Sequence, residues 1–384
     1  MTAMNIEPAL NALAAALHGE GPAVELSAGP DGSPALAFPP TPGIEDAAVV
    51  VRTSGSTGAP KATVLTVDAL AASSMATAFA LKGEGQWLLA LPVQYVAGVQ
   101  VLVRSLFAGT RPWVMDLTGG FTPEAFTAAA QELTDKVRFT SLVPTQLQRL
   151  LDSPSAETLA VLRRFNAVLL GGGPASPALL GAARDAGVKV VTTYGSAETC
   201  GGCVYDGFPL EDVLVRVAED GRILLGGATV AAGYLEAPGL SAETFVEADG
   251  VRWYRTNDLG ELDAEGRLTV LGRADDVVIT GGLKVSAGHV QAELEKLDGV
   301  RAAFVAGVPS AEWGHALAAY VAVDDSSPEG LAAFADRRGE TWGPALGALA
   351  PKTVLPAAEL LMLPNGKPDR LGMTVLLDAL HQGK

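Results

Sequence analysis

Between residues 87 and 193, short apolar segments alternate with helix-like segments, and this alternation restricts the fold more than any other feature. The apolar segments lie at 87–91, 139–143, 167–170 and 188–193. The helix-like segments lie at 123–133, 144–151 and 177–186. Strands that alternate with helices in this way predict an α/β domain with a largely parallel sheet. Two further strands are predicted at 48–51 and 63–66, followed by a helix to about residue 81.

The pattern changes twice in the second half of the chain. After residue 204, short strands at 222–225, 253–255 and 268–271 alternate with Gly, Asp and Asn turns, which predicts a smaller β-rich subdomain. From about residue 276, a Gly-Gly hairpin precedes a helix at 286–297 and strands at 301–306 and 316–323. This predicts a compact α+β unit. We therefore expect a large N-terminal domain, residues 1–272, and a small C-terminal domain, residues 273–384.

The composition restricts the class of protein. Hydrophobic residues make up 48% of the chain and charged residues 18%, which excludes a disordered or collagen-like chain. The 27 Lys and Arg against 43 Asp and Glu give a formal net charge of −16. Such an acidic surface argues against nucleic acid and anionic membranes as partners. An anionic substrate must then be held by a few local cations and backbone N–H groups.

Location is predicted from cysteine usage and apolar runs. The chain has 2 cysteines and no Lys or Arg ahead of its N-terminal Ala/Leu stretch, so we expect a cytoplasmic protein without a secretory signal. The longest apolar run, residues 87–103, contains Pro92, Gln94 and Gln100 and is followed by Arg104. It predicts a buried strand, turn and helix, and no integral membrane segment is expected.

A loop rich in glycine and hydroxyl groups is the strongest local signal. Its residues are Thr53, Ser54, Gly55, Ser56, Thr57, Gly58, Ala59, Pro60 and Lys61. Backbone N–H and hydroxyl groups in such a loop can surround phosphate oxygens, and Lys61 adds a point charge. The loop is not a Walker motif, because Lys61 leads into a β-branched strand and not into a helix. The alternative is an ordinary Ser/Gly hairpin turn.

Two further motifs follow predicted strands. Gly171, Gly172, Gly173 and Pro174 end one strand, and Tyr194, Gly195, Ser196, Ala197, Glu198 and Thr199 end another. Open α/β sheets bind ligands beyond the carboxyl ends of their strands. Glycines there let a flat ring approach the backbone, Tyr194 can stack on it, and Glu198 can reach a metal. Each motif alone is also compatible with a common strand-to-loop turn.

Charged residues on turns complete the set of candidates. Asp258 is predicted to lie in a turn and is suited to accept hydrogen bonds from a sugar diol. Arg273 and Asp275 lie at the predicted domain boundary, and Lys367 lies on a tight Gly-Lys turn near the C-terminus. An isolated lysine on a turn is usually only solvated.

Two features allow competing interpretations. Cys200 and Cys203 form a CxxC pair, but a zinc site needs four ligands and no second paired motif is present, so we interpret the pair as part of a pocket wall. Arg104 lies within an apolar stretch. A buried arginine paired with an acid is the favoured interpretation, and a substrate contact is the alternative.

In this order and spacing, the motifs identify the chain as similar to the adenylate-forming superfamily of acyl-CoA synthetases, nonribosomal adenylation domains and luciferases. The resemblance covers residues 48 to 372. The phosphate loop opens unusually early, at residue 53, as in the short o-succinylbenzoate–CoA ligases of menaquinone synthesis. The segments 91–105, 141–147 and 198–207 also resemble that branch. The chain departs from the family at Gln94 and Tyr95, where a His-bearing pair is usual, and more mildly at Ala197 and Asn257.

The resemblance implies a role for each matching position. ATP and AMP would be bound by Thr53, Ser54, Gly55, Ser56, Thr57, Gly58, Lys61, Gly172, Gly173, Pro174, Thr193, Tyr194, Gly195, Ser196, Glu198, Thr199, Asp258, Arg273 and Lys367. Thr57 and Glu198 would hold Mg²⁺, and Lys367 would bridge the α-phosphate and the attacking carboxylate. The pocket for the acyl substrate would be lined by Tyr95, Thr145, Gln146, Ser196, Thr199 and Gly201. Asp275 would be the hinge of a mobile C-terminal domain that presents Gly281, Gly282 and Lys284 to coenzyme A.

The implied activity is an ATP-dependent acid–CoA ligase that acts through an acyl-adenylate, with o-succinylbenzoate as the favoured acid. Another acyl- or aryl-CoA synthetase, or an enzyme that loads a carrier protein, is the alternative. A third hypothesis is a nucleotide-binding protein without catalytic activity. ATP, Mg²⁺, coenzyme A and a small carboxylic acid are the expected ligands, and a homodimer is left open.

Overall fold

The structure, a computed structural model, describes residues 5–29, 33–53, 61–336, 342, 346–363 and 368–383. Among the predicted site residues, six lie outside these ranges: Ser54, Gly55, Ser56, Thr57, Gly58 and Lys367.

The first part of the chain alternates strands and helices. Its elements are, in chain order, α1 (Glu7–Leu17), β1 (Val24–Ala28), β2 (Pro34–Ala37), β3 (Ala47–Thr53), β4 (Lys61–Thr66), α2 (Val67–Ala80), β5 (Gln86–Leu89), α3 (Val96–Phe107), β6 (Trp113–Val114), α4 (Pro123–Gln131), β7 (Arg138–Leu142), α5 (Pro144–Leu151), α6 (Ala156–Arg164), β8 (Ala167–Leu170), α7 (Pro177–Asp185), β9 (Val190–Ser196) and β10 (Gly201–Tyr205).

The remaining elements are mostly strands. They are β11 (Phe208–Pro209), β12 (Val213–Val217), β13 (Arg222–Gly227), β14 (Gly233–Tyr234), α8 (Pro238–Thr244), β15 (Phe245–Ala248), β16 (Val251–Leu262), β17 (Leu268–Arg273), β18 (Val277–Thr280), β19 (Leu283–Ser286), α9 (Ala287–Leu294), β20 (Val300–Ser310), β21 (Gly314–Val323), α10 (Pro328–Asp336), β22 (Thr353–Ala357) and α11 (Arg370–Gln382). Short 3₁₀ turns occupy Ala197–Thr199, Ala274–Asp276 and Gly347–Leu349.

A 7-stranded sheet forms the centre of the first part, with the order β11-β10-β9-β8-β7-β5-β6. The five strands from β9 to β6 are parallel, and β10 and β11 extend the edge in antiparallel pairing. The predicted α/β domain with a largely parallel sheet is therefore confirmed. Gly171 follows β8 directly, and Tyr194 lies near the end of β9. Both motifs therefore lie at the carboxyl ends of adjacent strands.

Helices cover both faces of this sheet, and the strand sequences show why. Leu88 packs into the hydrophobic core on the side of α4 to α7, whereas Leu89 packs into the core on the side of α2 and α3. Both side chains are buried. Since successive residues of a strand point to opposite faces, a strand with apolar residues at every position must be buried on both sides. The apolar run 87–103 is a strand, turn and helix, as predicted.

Prolines mark the beginning of three helices on one side of the sheet. Pro123, Pro144 and Pro177 are the first residues of α4, α5 and α7. The hydroxyls of Thr122 and Ser176 accept hydrogen bonds from backbone N–H groups of the first turns of α4 and α7. A proline at the first helical position and a Ser or Thr cap before it are both favourable. The three predicted helices are confirmed.

A second, 5-stranded sheet carries the ends of the predicted phosphate loop. Its order is β14-β4-β3-β1-β2, and β3 and β4 form an antiparallel pair in which Thr53 lies opposite Lys61. Strand β14, which comes much later in the chain, adds to the edge of β4. This late strand brings Tyr234 next to Lys61, the first residue of β4.

The β-rich subdomain and the C-terminal part each have a sheet of their own. Strands β12, β13, β15, β16 and β17 form one, and β18 to β22 form the other. No described strand pairs across residues 274–276. The sequence did not predict α1, α6, α8, α10 and α11. Within the described part of the chain, none of the helices has the length and apolarity needed to cross a bilayer.

Candidate functional site

Glycines allow β9 to lie close to the chain that follows it. A Cβ atom on Gly195 would lie 2.1 Å from the carbonyl oxygen of Gly201, and one on Gly171 would lie 2.4 Å from the Thr193 hydroxyl. Gly172 adopts a φ of +83°, which favours glycine. Gly173 and Pro174 are exposed beside it. A Cβ atom on Gly173 would meet no neighbouring atom within 4 Å, so the backbone after β8 is open to a ligand.

Asp258 faces the end of β9 from strand β16, where it pairs with Arg273 of β17, so the predicted turn at this position is wrong. Its Oδ2 accepts a hydrogen bond of 2.7 Å from the Tyr194 hydroxyl, and its backbone N–H donates to the Thr256 hydroxyl at 3.0 Å. Burial raises the pKa of Asp258, although Tyr194 and Arg273 act in the opposite direction. Burial also raises the pKa of Tyr194, and the neighbouring carboxylate adds to that shift. Tyr194 thus remains a neutral donor that orients Asp258.

Arg273 links Asp258 to the predicted hinge. Its Nε and Nη2 donate to the two carboxylate oxygens of Asp275 at 2.8 and 2.7 Å, and its Nη1 lies 4.0 Å from Asp258 Oδ1. The hydrogen bond with Asp275 raises the pKa of Arg273 and lowers the pKa of Asp275. Both groups are charged at neutral pH, and Arg273 faces the predicted ribose and hinge residues together.

Glu198 lies on the 3₁₀ turn after β9 and is only 7% exposed. Its Oε1 accepts a hydrogen bond of 2.7 Å from the Tyr234 hydroxyl on β14. Its Oε2 accepts no hydrogen bond from any described residue. Burial, followed by the charge of Glu198, raises the pKa of Tyr234. Tyr234 therefore stays a neutral hydroxyl that donates to Glu198.

This carboxylate fits a magnesium ion that is shared with phosphate. Mg²⁺ prefers oxygen ligands and is usually bound by one or two carboxylates together with substrate phosphates. No cluster of three or more His, Cys, Asp or Glu side chains that could form a complete metal cage occurs among the described residues. The free Oε2 of Glu198 offers one carboxylate oxygen to such a shared ion. Thr57, the other predicted ligand, lies outside the described residues.

Lys61 lies over the ring of the same tyrosine. Its Nζ is 5.2 Å from the centre of the Tyr234 ring. A cation at this distance from an aromatic face is attracted to it. Tyr234 therefore contacts both the end of the phosphate loop and the predicted metal ligand.

The predicted acyl-substrate residues lie around the beginnings of α3 and α5 and the turn after Glu198. Tyr95 and Thr145 are half-buried. The side chain of Gln146 accepts from the backbone N–H of Val143 at 3.0 Å and donates to the carbonyl of Ala90 at 2.9 Å. The Thr199 hydroxyl accepts from Ser196 N–H and donates to the Gly201 carbonyl. Gln146 and Thr199 thus hold the backbone around the predicted pocket.

The Gly-Gly hairpin predicted near residue 281 is confirmed. Gly281 and Gly282 join β18 to β19 with φ values of +54° and +82°, and Lys284 is exposed on β19. Asp276, just after the predicted hinge, forms an ion pair with Arg370 at the beginning of α11.

The two cysteines are buried behind the Glu198 turn. Burial raises the pKa of Cys203 to about 12 and raises that of Cys200 further. Since the thiolate is the reactive form, neither thiol is prepared for nucleophilic or redox chemistry near neutral pH.

The sequence model of the AMP-binding enzyme family matches residues 7–235. The chain belongs to the AMP-binding enzyme family. Over 286 residues, it is 45% identical to the probable 2-succinylbenzoate–CoA ligase of Mycobacterium tuberculosis, an alignment that covers 74% of this chain and 73% of the relative. It is 31% identical to the 2-succinylbenzoate–CoA ligase of Listeria monocytogenes over 299 residues, which cover 74% of this chain and 61% of that enzyme.

Solved structures of AMP-binding enzymes share this fold. The o-succinylbenzoate CoA synthetase (MenE) of Bacillus subtilis in complex with the acyl-adenylate OSB-AMP superposes with a TM-score of 0.71 and 26% identity, over 86% of this chain and 69% of that one. The same enzyme with ATP and a magnesium ion gives 0.68 and 26%, over 85% of this chain and 70% of that one. The predicted fold class and the resemblance to the short o-succinylbenzoate–CoA ligases are confirmed.

The sequence did not identify Tyr234 as a site residue of this AMP-binding enzyme. It lies 36 positions after Glu198 and on a strand of the other sheet. The Gly-Tyr pair that forms the short strand β14 was a weak signal, because nothing in its local pattern shows which strand it joins.

Proposed function

We propose that the chain is an ATP-dependent acid–CoA ligase that converts o-succinylbenzoate to o-succinylbenzoyl-CoA in menaquinone biosynthesis. The observation that carries the proposal is the match over 86% of the chain to a structure that holds the acyl-adenylate OSB-AMP. Relatives named 2-succinylbenzoate–CoA ligase, at up to 45% identity, support it. The reaction has two halves: acid and ATP give acyl-AMP and pyrophosphate, and acyl-AMP and CoA give acyl-CoA and AMP.

In this proposal, the nucleotide lies over the strand ends. The backbone of Gly172, Gly173 and Pro174 accepts the adenine, together with Tyr194. Asp258, oriented by the Tyr194 hydroxyl, accepts hydrogen bonds from the ribose diol. Arg273 lies close enough to add a second contact on that side.

The first half-reaction needs no base, because the attacking carboxylate is already ionised. Catalysis is then a matter of positioning and of neutralising charge at the α-phosphate. Lys61 and the loop that precedes it hold the outer phosphates, and Glu198 offers Oε2 to the metal. When bound, Mg²⁺ supplies positive charge to the phosphates. Lys367 contacts both the α-phosphate and the attacking carboxylate of the acid substrate.

The second half-reaction requires CoA to reach the acyl-AMP. We propose that residues 273–384 form the mobile domain and that Asp275 is its hinge. The separate C-terminal sheet, which shares no described strand with the rest of the chain, supports this division. Rotation about the hinge would withdraw Lys367 and present Gly281, Gly282 and Lys284.

The cytoplasm is the proposed location, and the two free, buried cysteines are compatible with a reducing compartment. A homodimer remains a prediction.

The test of the substrate compares o-succinylbenzoate with 4-oxo-4-phenylbutanoate, which lacks only the ring carboxylate. A site that pairs this spare carboxylate penalises an analogue without it, because the polar groups of the site are left unpaired. We expect kcat/KM to fall by two or more orders of magnitude, or about 2.7 kcal/mol. Pyrophosphate release measures the first half and thioester formation the second. Equal turnover of the two acids would instead assign a general aryl-CoA synthetase.

A further inference from the structure

Arg104 is a buried cation without an acidic partner among the described residues. The residue is only 7% exposed, and its Nε is buried with no hydrogen-bond acceptor in the described part of the chain. No described carboxylate lies within ion-pair distance of its guanidinium. The expected pairing of a buried arginine with an acid is therefore not found among the described residues. An unpaired charge in the interior is costly, so it needs a compensating anion or a cation–π contact.

The surroundings compensate Arg104 only in part. Its guanidinium carbon lies 5.3 Å from the centre of the Trp87 ring, a distance typical of a cation–π contact. Such a contact uses the face of the guanidinium and leaves its N–H groups available at the edge. Ser74, on the neighbouring helix, is also buried and its hydroxyl has no partner among the described residues.

Both side chains line one cleft between α2 and α3. The cleft has a volume of about 220 Å³, and its walls include Trp87, Phe139 and Phe107. The phenyl ring of Phe107 is partly exposed at the rim. Glu84 also lies at the rim. The volume is below the range of about 300–1,000 Å³ typical of pockets for drug-sized ligands, so it suits a small molecule.

The cleft is separate from the candidate active site. Trp87 and Phe139 lie at the amino ends of β5 and β7, whereas the nucleotide residues lie at the carboxyl ends of the same sheet. None of the described nucleotide or acyl residues lines the cleft. The cleft and the active site nevertheless share the two helices, because Gln100 and Ser73 donate hydrogen bonds to the carbonyl of Cys200, two residues after Glu198.

We propose that this cleft binds a small monocarboxylic acid with an apolar body, whose carboxylate pairs with Arg104 and Ser74. A planar guanidinium matches a carboxylate through two parallel hydrogen bonds. The aromatic walls accept an aryl or short branched aliphatic group. A dianion is disfavoured, since Arg104 is the single cation in the lining and Glu84 adds a negative charge at the rim.

Benzoate and benzamide are the probes, because they share a ring and differ in charge. Calorimetric titration of the full chain should detect benzoate, and benzamide should bind at least about tenfold more weakly, since it loses the charged pair. Comparable affinity of the two compounds, or no benzoate binding at all, would overturn the proposal.

Arg104→Met is the decisive variant. It should lose benzoate binding by at least about tenfold, yet have an equal or higher thermal midpoint of unfolding, because it removes an unpaired buried charge. Turnover of the acid substrate should stay within about twofold, which separates this site from the acyl pocket. Unchanged benzoate binding in this variant would show that the probe binds elsewhere. A lower midpoint would show that the charge is already compensated within the protein.

Two further variants keep the test decisive if Arg104→Met folds poorly. Ala78→Phe places a ring in the cleft without changing a charge and should also abolish benzoate binding. Glu84→Gln removes the negative charge at the rim and should leave benzoate binding equal or tighter. Retained binding in Ala78→Phe would contradict the assignment of the site. Because none of these residues belongs to the nucleotide or acyl site, failure here leaves the proposed ligase activity standing.

Discussion

Two carboxylates of the candidate site each have a tyrosine as hydrogen-bond donor, but their other surroundings differ. Glu198 and Asp258 each accept a hydrogen bond of 2.7 Å from a tyrosine hydroxyl. Asp258 also lies 4.0 Å from the guanidinium of Arg273, whereas Glu198 has no ion-pair partner among the described residues. The tyrosines orient both groups, but among the described residues a cation lies within ion-pair distance of Asp258 and none does so for Glu198. The difference predicts a cation at Glu198 and neutral hydroxyl donors at Asp258.

The largest expected effect tests the cation at Glu198. Glu198→Gln keeps an acceptor for Tyr234 but removes the charge, so pyrophosphate release at fixed Mg²⁺ should fall by about two orders of magnitude. Excess Mg²⁺ should restore part of the activity, and the affinity for AMP should hardly change. Asp258→Asn is the matched control: it should weaken AMP binding and leave the Mg²⁺ requirement almost unchanged. An unaltered Mg²⁺ requirement in Glu198→Gln would give Glu198 a structural role.

A smaller effect is expected from the two tyrosines. Tyr234→Phe should raise the Mg²⁺ requirement, and Tyr194→Phe should weaken AMP binding, each by about twofold to twelvefold, since an intramolecular hydrogen bond contributes roughly 0.5–1.5 kcal/mol after solvent exchange. Each variant is the control for the other. Titrating both variants with Mg²⁺ and with AMP measures the Mg²⁺ requirement and the AMP affinity of each. If both variants changed the same parameter, the two carboxylates would not act separately.

The smallest expected effect concerns pH. Burial raises the pKa of Asp258 above its ordinary value of about 4, so the group takes up a proton at a higher pH than an exposed aspartate. Protonation removes the acceptor for the ribose. AMP affinity should therefore be constant near neutral pH and fall as the pH drops through this raised pKa, by at most about tenfold per pH unit. Asp258→Asn should lose this pH dependence, and persistence of the dependence in that variant would assign it to another group.

The sequence predicted the fold through features that are local. Leu88 and Leu89 are apolar on both faces of a strand, and Pro123 and Pro177 begin helices that cap in the usual way. The positions of Gly171 and Tyr194 at strand ends followed from that alternation. Helix α11 was not predicted, although Met373 and Leu377, four positions apart, form its buried face. That spacing was the available signal.

Contacts between distant segments could not be predicted. Tyr234 reaches Glu198 only because β14 joins β4, and strand pairing across such a distance has no local signature. The environment of Arg104 has the same origin. An arginine in an apolar helix is expected to have an acid nearby, and only the packing of α2 against α3 shows a cleft in its place. The roles of Lys367 and Thr57 stay predictions, because both lie outside the described residues.

The contact between Tyr234 and Glu198 also restricts how this chain could be recombined with its relatives. A crossover placed between residues 198 and 234 would take the carboxylate from one parent and its hydroxyl donor from the other. The hydrogen bond would then form only if β14 lies at the same distance from the turn after β9 in both parent proteins. That distance is set by two different sheets. A crossover near residues 274–276 separates no described strand pair. A crossover there still divides the Arg273–Asp275 ion pair, so a C-terminal part taken from a relative has to keep both residues, whereas the two sheets that meet at Glu198 have to be inherited together.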